Sequence, residues 1–391
     1  METATFNILR YILLVFFVWA GYRQSRDVSG SGYWKTAFLP IVLYSFMEGL
    51  RWGRGKDFFG YYSLVTTSYY YTKDILFDYI GKLFYTLDLP SYFFFIFQSF
   101  FLITCVYYFL RGFRECIIPC IILMFAYSMQ QSENLVRQYC AMSIVLIVIV
   151  LLREHKNIWA LVWIGISMFV HKSVAFAYVF LVIFYLICYK DLGRKKIRWI
   201  CILFVSSYFI APVLKGLFNQ LFVVISPYVA LFSDKYGSSS YLSFATKSGV
   251  YMDMDFGMVY QVREFLRNLV IIIGGACVIN NIYIGDERKK SFFVCYGMGC
   301  MGILYDAILP DFGSEVLWRL GFYLLWIAYF VEGVIIYHTV FRKKEILQLI
   351  PNVNYASIWY LAVWSLVILE LVWILKPRGL GELGLMFIWD R

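Results

Sequence analysis

Arginine side chains that could bind phosphate recur at the ends of several apolar runs. Arg51 and Arg54 follow the second run, Arg137 opens the fifth, Arg267 lies near the start of the ninth, and Arg319 opens the eleventh. A guanidinium stays charged at every working pH and offers a planar fork of donors that suits phosphate oxygens. An arginine beside a bilayer is costly unless it is paired, hydrated or snorkelling, so its repetition indicates a site. The pattern predicts an anionic, lipid-linked substrate.

Two further side chains could transfer a proton near these arginines. His171 separates two short apolar runs, and an imidazole that titrates near neutrality could deprotonate a sugar hydroxyl. Asp57 follows the second apolar run and could do the same. Each has a plainer interpretation, because His171 could be a polar helix cap and Asp57 could hold an arginine in place. The sequence leaves these alternatives open and favours His171 as the base.

Some of the charged residues are spaced by four, which places both members of a pair on one face if the segment is helical. Two pairs have opposite charges and could simply neutralise themselves as ion pairs. The third pair has like charges, which repel unless an anion lies between them, so it favours an anion site. The pairs are Glu133 with Arg137, Glu315 with Arg319, and Arg263 with Arg267.

The sequence lacks the motifs of several common enzyme classes. It holds no P-loop, no GxGxxG after a strand, no HExxH zinc motif and no GxSxG nucleophile turn. No acidic cluster on the predicted outer side resembles a dedicated metal site. The nine cysteines lie in apolar runs or at their edges and are interpreted as small apolar fillers. We therefore expect chemistry without a metal or cofactor, with arginines in place of the cation.

Composition indicates the environment that must position these residues. The 391 residues are 61% hydrophobic, 21% aromatic and 15% charged, with a mean hydropathy of +0.69. These values are typical of a polytopic membrane protein and exclude a soluble globular chain. Because charge appears only in short clusters between apolar runs, the sequence predicts a single all-α membrane domain over residues 1–391, without a soluble domain. Residues 6–21 lack the features of a cleavable signal and are expected to form the first span.

About twelve transmembrane spans are predicted from the apolar runs. Two of them, 117–130 and 158–170, are shorter than the roughly 20 residues of a perpendicular helix and are expected to be broken or re-entrant. Glycines at 274, 275, 297, 299 and 302 are expected to mark close helix packing. The predicted spans are 6–21, 36–50, 91–110, 117–130, 137–152, 158–170, 173–189, 198–215, 264–284, 292–309, 317–337 and 357–375.

The basic residues predict the orientation of the spans. The short loops with clustered lysine and arginine fall on one side, which the positive-inside rule makes cytoplasmic. The net charge of +10 is then mainly an anchor to the lipid bilayer, and nucleic acid is not an expected partner. Two long loops, 51–90 and 216–263, are predicted to be external together with the candidate arginines and His171. Within the first loop, residues 75–89 have the spacing of an amphipathic interfacial helix.

The stretch LRWGRGKDFFGYY at residues 50–62 carries a resemblance to a known family. It is similar to the LR-x-G-x-G-x-D-Y-x-x-Y signature of the EpsG-like branch of oligosaccharide repeat-unit polymerases, the Wzy-type enzymes of O-antigen, capsule and exopolysaccharide synthesis. Arg137 with Gln138 resembles the RQ of the family, His171 its solitary histidine, and Arg319 with Tyr323 its late R-x-x-x-Y. The chain departs from the signature by a lysine at position 56 and a phenylalanine at position 58.

The resemblance implies a membrane-embedded glycosyltransferase with a GT-C-like architecture of about 12 helices. Such a polymerase transfers a growing undecaprenyl-pyrophosphate-linked glycan onto a new lipid-linked repeat unit. Both substrates lie at the outer face of the bacterial cytoplasmic membrane, so the site faces the periplasm or exterior. A chain-length regulator protein is a further partner that the resemblance allows.

Joining the resemblance to the residue types gives a hypothesis for the site. Arginines bind the donor and acceptor pyrophosphates, His171 or Asp57 deprotonates the acceptor hydroxyl, and aromatic side chains stack on sugar rings. The predicted pyrophosphate ligands are Arg51, Arg54, Arg137, Arg267 and Arg319, and the supporting residues are Gln138, Glu133, Glu315, Tyr62 and Tyr323.

Three other functions remain open at this point. A lipid-linked oligosaccharide flippase would need arginines along a cavity through both leaflets, and few basic residues lie in the middle of the runs. A membrane O-acyltransferase would place its histidine near a cytoplasmic entrance. An O-antigen ligase differs only in its acceptor.

Overall fold

The computed structural model describes residues 2–27, 30–53, 57–67, 72, 74–189, 193–233, 258–283, 288–309, 315–342, 353–376 and 386–387. Almost all of these residues are helical, and the apolar helices make the chain an all-α polytopic membrane protein, as the composition predicts. The first eight helices are α1 Glu2–Arg26, α2 Tyr33–Gly49, α3 Phe58–Thr66, α4 Ile75–Thr86, α5 Ser91–Leu110, α6 Ile117–Asn134, α7 Val136–Arg153 and α8 Asn157–Val170. The remaining helices are α9 Ala175–Tyr189, α10 Arg194–Ser233, α11 Met258–Asn281, α12 Arg288–Ile308, α13 Glu315–Ile336 and α14 Val353–Leu375.

Short irregular elements join some of these helices. Two 3-10 turns, Arg111–Cys116 and Lys172–Val174, precede α6 and α9, and a π-helical turn, Tyr337–Phe341, follows α13. Two short strands, β1 Arg51–Trp52 and β2 Met386–Phe387, pair antiparallel.

The internal contacts of the chain define two compact units. The first unit contains Met1–Val179, Ile336–Phe341 and Ile368–Arg391, and the second contains Phe180–Ile335 and Arg342–Val367. The single domain expected from the sequence stays a prediction.

Seven described stretches are long and apolar enough to cross a membrane, and two shorter apolar helices, 157–170 and 172–188, accompany them. Most predicted spans coincide with helices, while the count of about twelve stays a prediction. The seven stretches are Thr5–Arg26, Ser91–Met129, Val136–Arg153, Arg194–Phe218, Arg288–Ile308, Arg319–Phe341 and Ala356–Leu375.

Both ends of the predicted external loop 216–263 are helical, and its location outside the membrane stays a prediction. Helix α10 continues to Ser233, and α11 begins at Met258. The apolar residues that follow position 216 favour continuation of the helix, since a helix that has already begun adds residues at little cost. Residues 234–257 lie outside the described part of the chain.

Helix α7 forms the centre of the first unit. Its sequence is apolar on all sides, as expected for a fully enclosed helix, and 78% of it is buried. Around it, the ring of Phe17 packs edge-on against Phe125 with 4.9 Å between centroids, and the Tyr33 hydroxyl donates to the Tyr107 carbonyl at 2.6 Å. Two predicted site residues, Arg137 and Gln138, lie at the start of α7.

Helix α4 is amphipathic, as its spacing predicts. Phe77 and Gly81 face inward, and a Cβ on Gly81 would lie only 2.5 Å from a methyl carbon of Leu64 in α3. The opposite face exposes Tyr79 and Leu83. The close contact with α3 therefore holds the buried face of α4 and, with it, the residue that precedes the helix.

Glycines bring the helices of the second unit close together, as predicted. A Cβ on Gly275 would approach the ring of Tyr296 to 2.3 Å, and one on Gly302 would lie 2.8 Å from Leu324. All nine cysteines are free, and seven of them are buried, in agreement with their interpretation as apolar fillers.

Candidate functional site

A buried carboxylate, Asp74, joins two of the predicted site residues in the first unit. Its Oδ2 atom accepts a hydrogen bond from the Arg137 guanidinium at 2.5 Å and lies 2.9 Å from Nδ1 of His171. The Asp74 side chain is only 7% exposed. A single carboxylate oxygen therefore connects the start of α7 with the residue that follows α8.

Hydrogen bonds within the loop before α4 orient the Asp74 side chain toward these partners. Asp74 is extended, with φ −103° and ψ 100°, and its carbonyl accepts the N–H of Asp78 at 2.9 Å. The Asp78 carboxylate in turn accepts bonds from the N–H of Thr72 at 3.0 Å and from its hydroxyl at 2.5 Å. Such local side-chain bonds favour a turn at a helix start. The carboxylate of Asp74 is therefore available to bind partners outside α4.

His171 lies at a break between two short helices, as the sequence predicts. Its backbone is extended, with φ −162° and ψ 112°, so α8 stops at Val170. Because an ionised carboxylate only accepts hydrogen bonds, the ring donates through Nδ1, and the proton of the neutral ring lies there. Nε2 has no partner among the described residues, and the side chain is 23% exposed. The lone pair of Nε2 is thus available to accept a proton.

The charge state of Asp74 supports this arrangement. Burial alone would raise the pKa of Asp74, but the hydrogen bond and charge of His171 and the charge of Arg137 outweigh it and lower the pKa below its usual range. Asp74 is therefore ionised near neutral pH. An anion at Nδ1 fixes the tautomer of His171 and stabilises the imidazolium that forms when Nε2 accepts a proton.

Arg137 is held on one side and accessible on the other. Its NH1 atom also donates to the Thr72 carbonyl at 3.1 Å, and its Nε atom donates to the Tyr61 hydroxyl at 3.4 Å. No acceptor for its NH2 group occurs in the described ranges, and its side chain is 20% exposed. A guanidinium fixed by three neighbours can present its remaining nitrogen to an anion without losing rotamer freedom.

The spacing of Glu133 and Arg137 does not produce an ion pair. Leu135, with φ −104° and ψ 43°, breaks the helix between them, so Glu133 lies in the last turn of α6 and Arg137 in the first turn of α7. Arg137 binds Asp74 instead, and Glu133 is 6% exposed. The sequence argument assumed one continuous helix, which the backbone at Leu135 interrupts.

Arg51 is in the same unit and lies in an enclosed environment. It is 5% exposed, belongs to β1, and its guanidinium lies 4.9 Å from the centroid of the Phe95 ring. It lines a cavity of about 20 Å³ together with Glu48 and Gln98. Gln138, two residues beyond the start of α7, is 3% exposed.

The other residues of the 50–62 stretch are more peripheral. Asp57 precedes α3, makes no capping bond to it, and has no side-chain partner in the part of the chain that the structure describes. The ring of Tyr62 packs against Trp52 at 5.1 Å and stacks with Phe58 at 6.1 Å, within an aromatic cluster. Arg54 lies outside the described residues.

The second unit contains its own buried arginine pair. Arg263 and Arg267 are 2% and 3% exposed, and both form ion pairs with Glu264. Arg267 also donates to the Tyr329 hydroxyl at 3.3 Å and lies over its ring at 5.1 Å. The like charges do need an anion between them, and the adjacent carboxylate of Glu264 supplies one.

The remaining predicted residues also belong to the second unit. Arg319 lies in the first turns of α13 and is partly exposed, while Tyr323, one turn later, is 1% exposed. Glu315 is the first residue of the same helix. The structure thus brings Arg137 and His171 together in the first unit and places Arg267, Arg319, Tyr323 and Glu315 in the second.

Comparison with known families agrees with the resemblance seen in the sequence. The model of the EpsG family matches residues 34–372. The chain belongs to the EpsG family. The match contains every predicted site residue from Arg51 to Tyr323, and it associates this EpsG-family protein with polysaccharide polymerisation. No curated protein and no solved structure matches the chain in these comparisons.

Sequence reasoning missed two carboxylates in this EpsG-family chain, Asp74 and Glu264. Asp74 stands directly before an amphipathic stretch, at a position typical of a helix N-cap, and this was the available signal. Glu264 lies between Arg263 and Arg267 in sequence, and a spacing of one or three residues from each could have indicated the pairing. A search for charged pairs four residues apart misses both of these carboxylates.

Proposed function

We propose that this EpsG-family protein is a polymerase that transfers a growing undecaprenyl-pyrophosphate-linked glycan onto a new lipid-linked repeat unit. The reaction takes place at the outer face of the bacterial cytoplasmic membrane, on the side that the basic loops predict for His171. The observation that carries the proposal is the cluster of His171, Asp74 and Arg137, which combines a base with an anion-binding group. Family membership supports the same reaction class.

In this mechanism His171 activates the acceptor. Nε2 accepts the proton of an acceptor sugar hydroxyl while Asp74 keeps Nδ1–H in place. The hydroxyl oxygen forms a bond to the anomeric carbon of the donor glycan, and the bond from that carbon to the pyrophosphate oxygen breaks. The electron pair of the broken bond stays on the pyrophosphate, and the proton stays on the imidazolium until it is released.

Arg137 stabilises the charge that develops on the leaving pyrophosphate. Because Thr72, Tyr61 and Asp74 already fix its guanidinium, little reorganisation is needed during the reaction. Arg54 and Arg319 are further candidate pyrophosphate ligands, and the same role for Arg51 and Arg267, which are buried near carboxylates, stays a prediction. In this proposal the arginines supply the positive charge, so the reaction needs neither a metal nor a cofactor, and the fold is GT-C-like.

The remaining partners follow from the same reaction. The donor and the acceptor are both lipid-linked oligosaccharides, and a chain-length regulator is a further partner. Asp57 stays an alternative base, although the cluster around His171 supports the histidine more directly. The supporting roles of Glu133, Gln138, Tyr62, Glu315 and Tyr323 stay predictions.

A complementation experiment tests the role of His171. In a host that lacks its own polymerase, the His171→Ala variant should leave glycans of a single repeat, because the acceptor hydroxyl keeps its proton. His155→Asn is a matched control, since His155 is exposed and has φ +57°, a conformation that asparagine tolerates. Glycan ladders are read on gels, and an epitope tag reports the amount of protein in the membrane.

Full-length polymer from the His171→Ala variant would refute the proposed base. An assay with purified protein and lipid-linked repeat units separates the other functions. Formation of a ladder supports the polymerase, and transbilayer movement alone supports a flippase.

A further inference from the structure

A small polar cavity lies in the first unit, between α2, α5, α6 and α7. Its volume is about 20 Å³, enough for a group the size of one or a few water molecules and too small for a sugar ring. Its polar lining includes Glu48, Arg51, Gln98 and Ser132, and its apolar lining includes Leu102 and Val136. The cavity is thus amphipathic and has room for one functional group.

The amide of Gln98 is the feature that indicates a ligand. Gln98 is 6% exposed and lies on α5, a membrane-spanning helix. Neither its amide nitrogen nor its amide oxygen has a hydrogen-bond partner among the described residues. Buried amides are nearly always hydrogen-bonded, because burial without a partner is costly. The Gln98 side chain lines the cavity, so a group in the cavity could satisfy it.

The charges around the cavity favour a neutral group. Glu48 and Arg51 are 2% and 5% exposed and carry opposite charges in the same lining. A phosphate would lie beside the carboxylate of Glu48, which like-charge repulsion disfavours. A neutral group with one donor and one acceptor suits Gln98 and this pair of charges together.

We propose that this cavity is a subsite for the acetamido group of an N-acetylated sugar in the substrate. A secondary amide has one N–H and one carbonyl, which can pair with the carbonyl and NH₂ of Gln98. Its methyl group packs against Leu102 and Val136, which line the apolar side. Val136 directly precedes Arg137, so the subsite is next to the arginine of the reacting cluster. The assignment rests on the proposed glycosyltransferase function.

Saturation-transfer NMR on the purified full-length protein tests this assignment, with N-acetylglucosamine and glucose as probes. The wild-type protein should saturate the acetyl methyl protons of N-acetylglucosamine most strongly, and glucose should show little transfer. The Gln98→Met variant keeps the length and volume of the side chain without its amide, so N-acetylglucosamine should bind about tenfold more weakly. Because no protein hydrogen bond to Gln98 is lost among the described residues, this variant should fold. If the Gln98→Met variant does not accumulate, the Gln98→Asn variant is used in its place. Its side chain is one methylene shorter, which moves the amide away from the cavity, so N-acetylglucosamine should again bind more weakly.

Three results would overturn the subsite. These are no methyl saturation in the wild-type protein, equal saturation for glucose and N-acetylglucosamine, or methyl saturation that the Gln98 variants leave unchanged. The last would assign the cavity to ordered water. Failure of the proposed function appears elsewhere, as polymer made by the His171→Ala variant, and that variant should still show the methyl signal.

Discussion

Replacement of Asp74 by asparagine distinguishes two roles for His171. In one, His171 is a base that depends on the Asp74 carboxylate, and in the other it merely caps a helix. The Asp74→Asn change preserves the shape of the side chain and removes its charge. The contacts of Oδ2 with Arg137 and His171, at 2.5 Å and 2.9 Å, then lose the negative charge of the acceptor. An asparagine can also donate to Nδ1 of His171, which would move the ring proton to Nε2 and block the base.

The size of the effect can be worked from the distances. Loss of a positioned general base lowers rates by about 10² to 10⁴-fold, so polymer formation by the purified variant should fall within that range. Two unit charges 2.9 Å apart attract by about 1.4 kcal/mol even at the dielectric constant of water, and by more in a partly buried site. That energy corresponds to about a tenfold change in rate, so loss of the attraction between Asp74 and the imidazolium should by itself slow the reaction about tenfold or more.

Asp78→Asn is the matched control for this change. The Asp78 carboxylate accepts hydrogen bonds from Thr72 in the same loop but does not contact His171. Its replacement should lower the melting temperature and leave the rate close to that of the wild-type protein at a temperature where the variant is folded. A wild-type rate from Asp74→Asn, or an equal loss of rate from Asp78→Asn, would refute the role of the Asp74 carboxylate.

Three further changes have defined outcomes. Arg137→Lys keeps the charge but loses the planar fork, so pyrophosphate-dependent transfer should fall about tenfold or more at a temperature where the variant is folded, and an unaltered rate would count against the role of Arg137. Glu264→Gln removes the carboxylate that pairs with both buried arginines, Arg263 and Arg267, and should cost about 3–5 kcal/mol of folding stability, measured as thermal unfolding or loss of protein from the membrane. Because the pKa of Asp74 is lowered in the folded protein, its contribution to stability is present above about pH 4 and is lost as the pH falls through the folded pKa. Melting curves between pH 3 and 7 should show this loss in the wild-type protein and not in the Asp74→Asn variant.

Local patterns in the sequence were sufficient for several features of the fold. The apolar runs identify an all-α polytopic membrane protein, since a helix satisfies its own backbone hydrogen bonds in lipid. The spacing of residues 75–89 predicts the amphipathic α4, and the glycines at 275 and 302 predict close helix contacts. The stretch 50–62 and its companions indicate the EpsG family. Each of these depends on neighbours in sequence or on composition.

The arrangement of the site was decided by tertiary structure. Asp74 and His171 are 97 residues apart, and no spacing rule connects them. Their contact exists because α3 and α4 pack together and the chain breaks at His171. By sequence spacing Arg137 could pair with Glu133, four residues away. The non-helical backbone of Leu135 separates the two residues, and Arg137 pairs with Asp74.

The sequence by itself therefore determined the membrane class of this chain, most of its helices and the family to which it belongs. It also supplied the residue types of the site, including His171 and Arg137. Only the tertiary structure decided which carboxylate holds them, because an ion pair forms with the acid that folding brings within reach. Residue type limits the chemistry, and the packing of distant segments selects the partners.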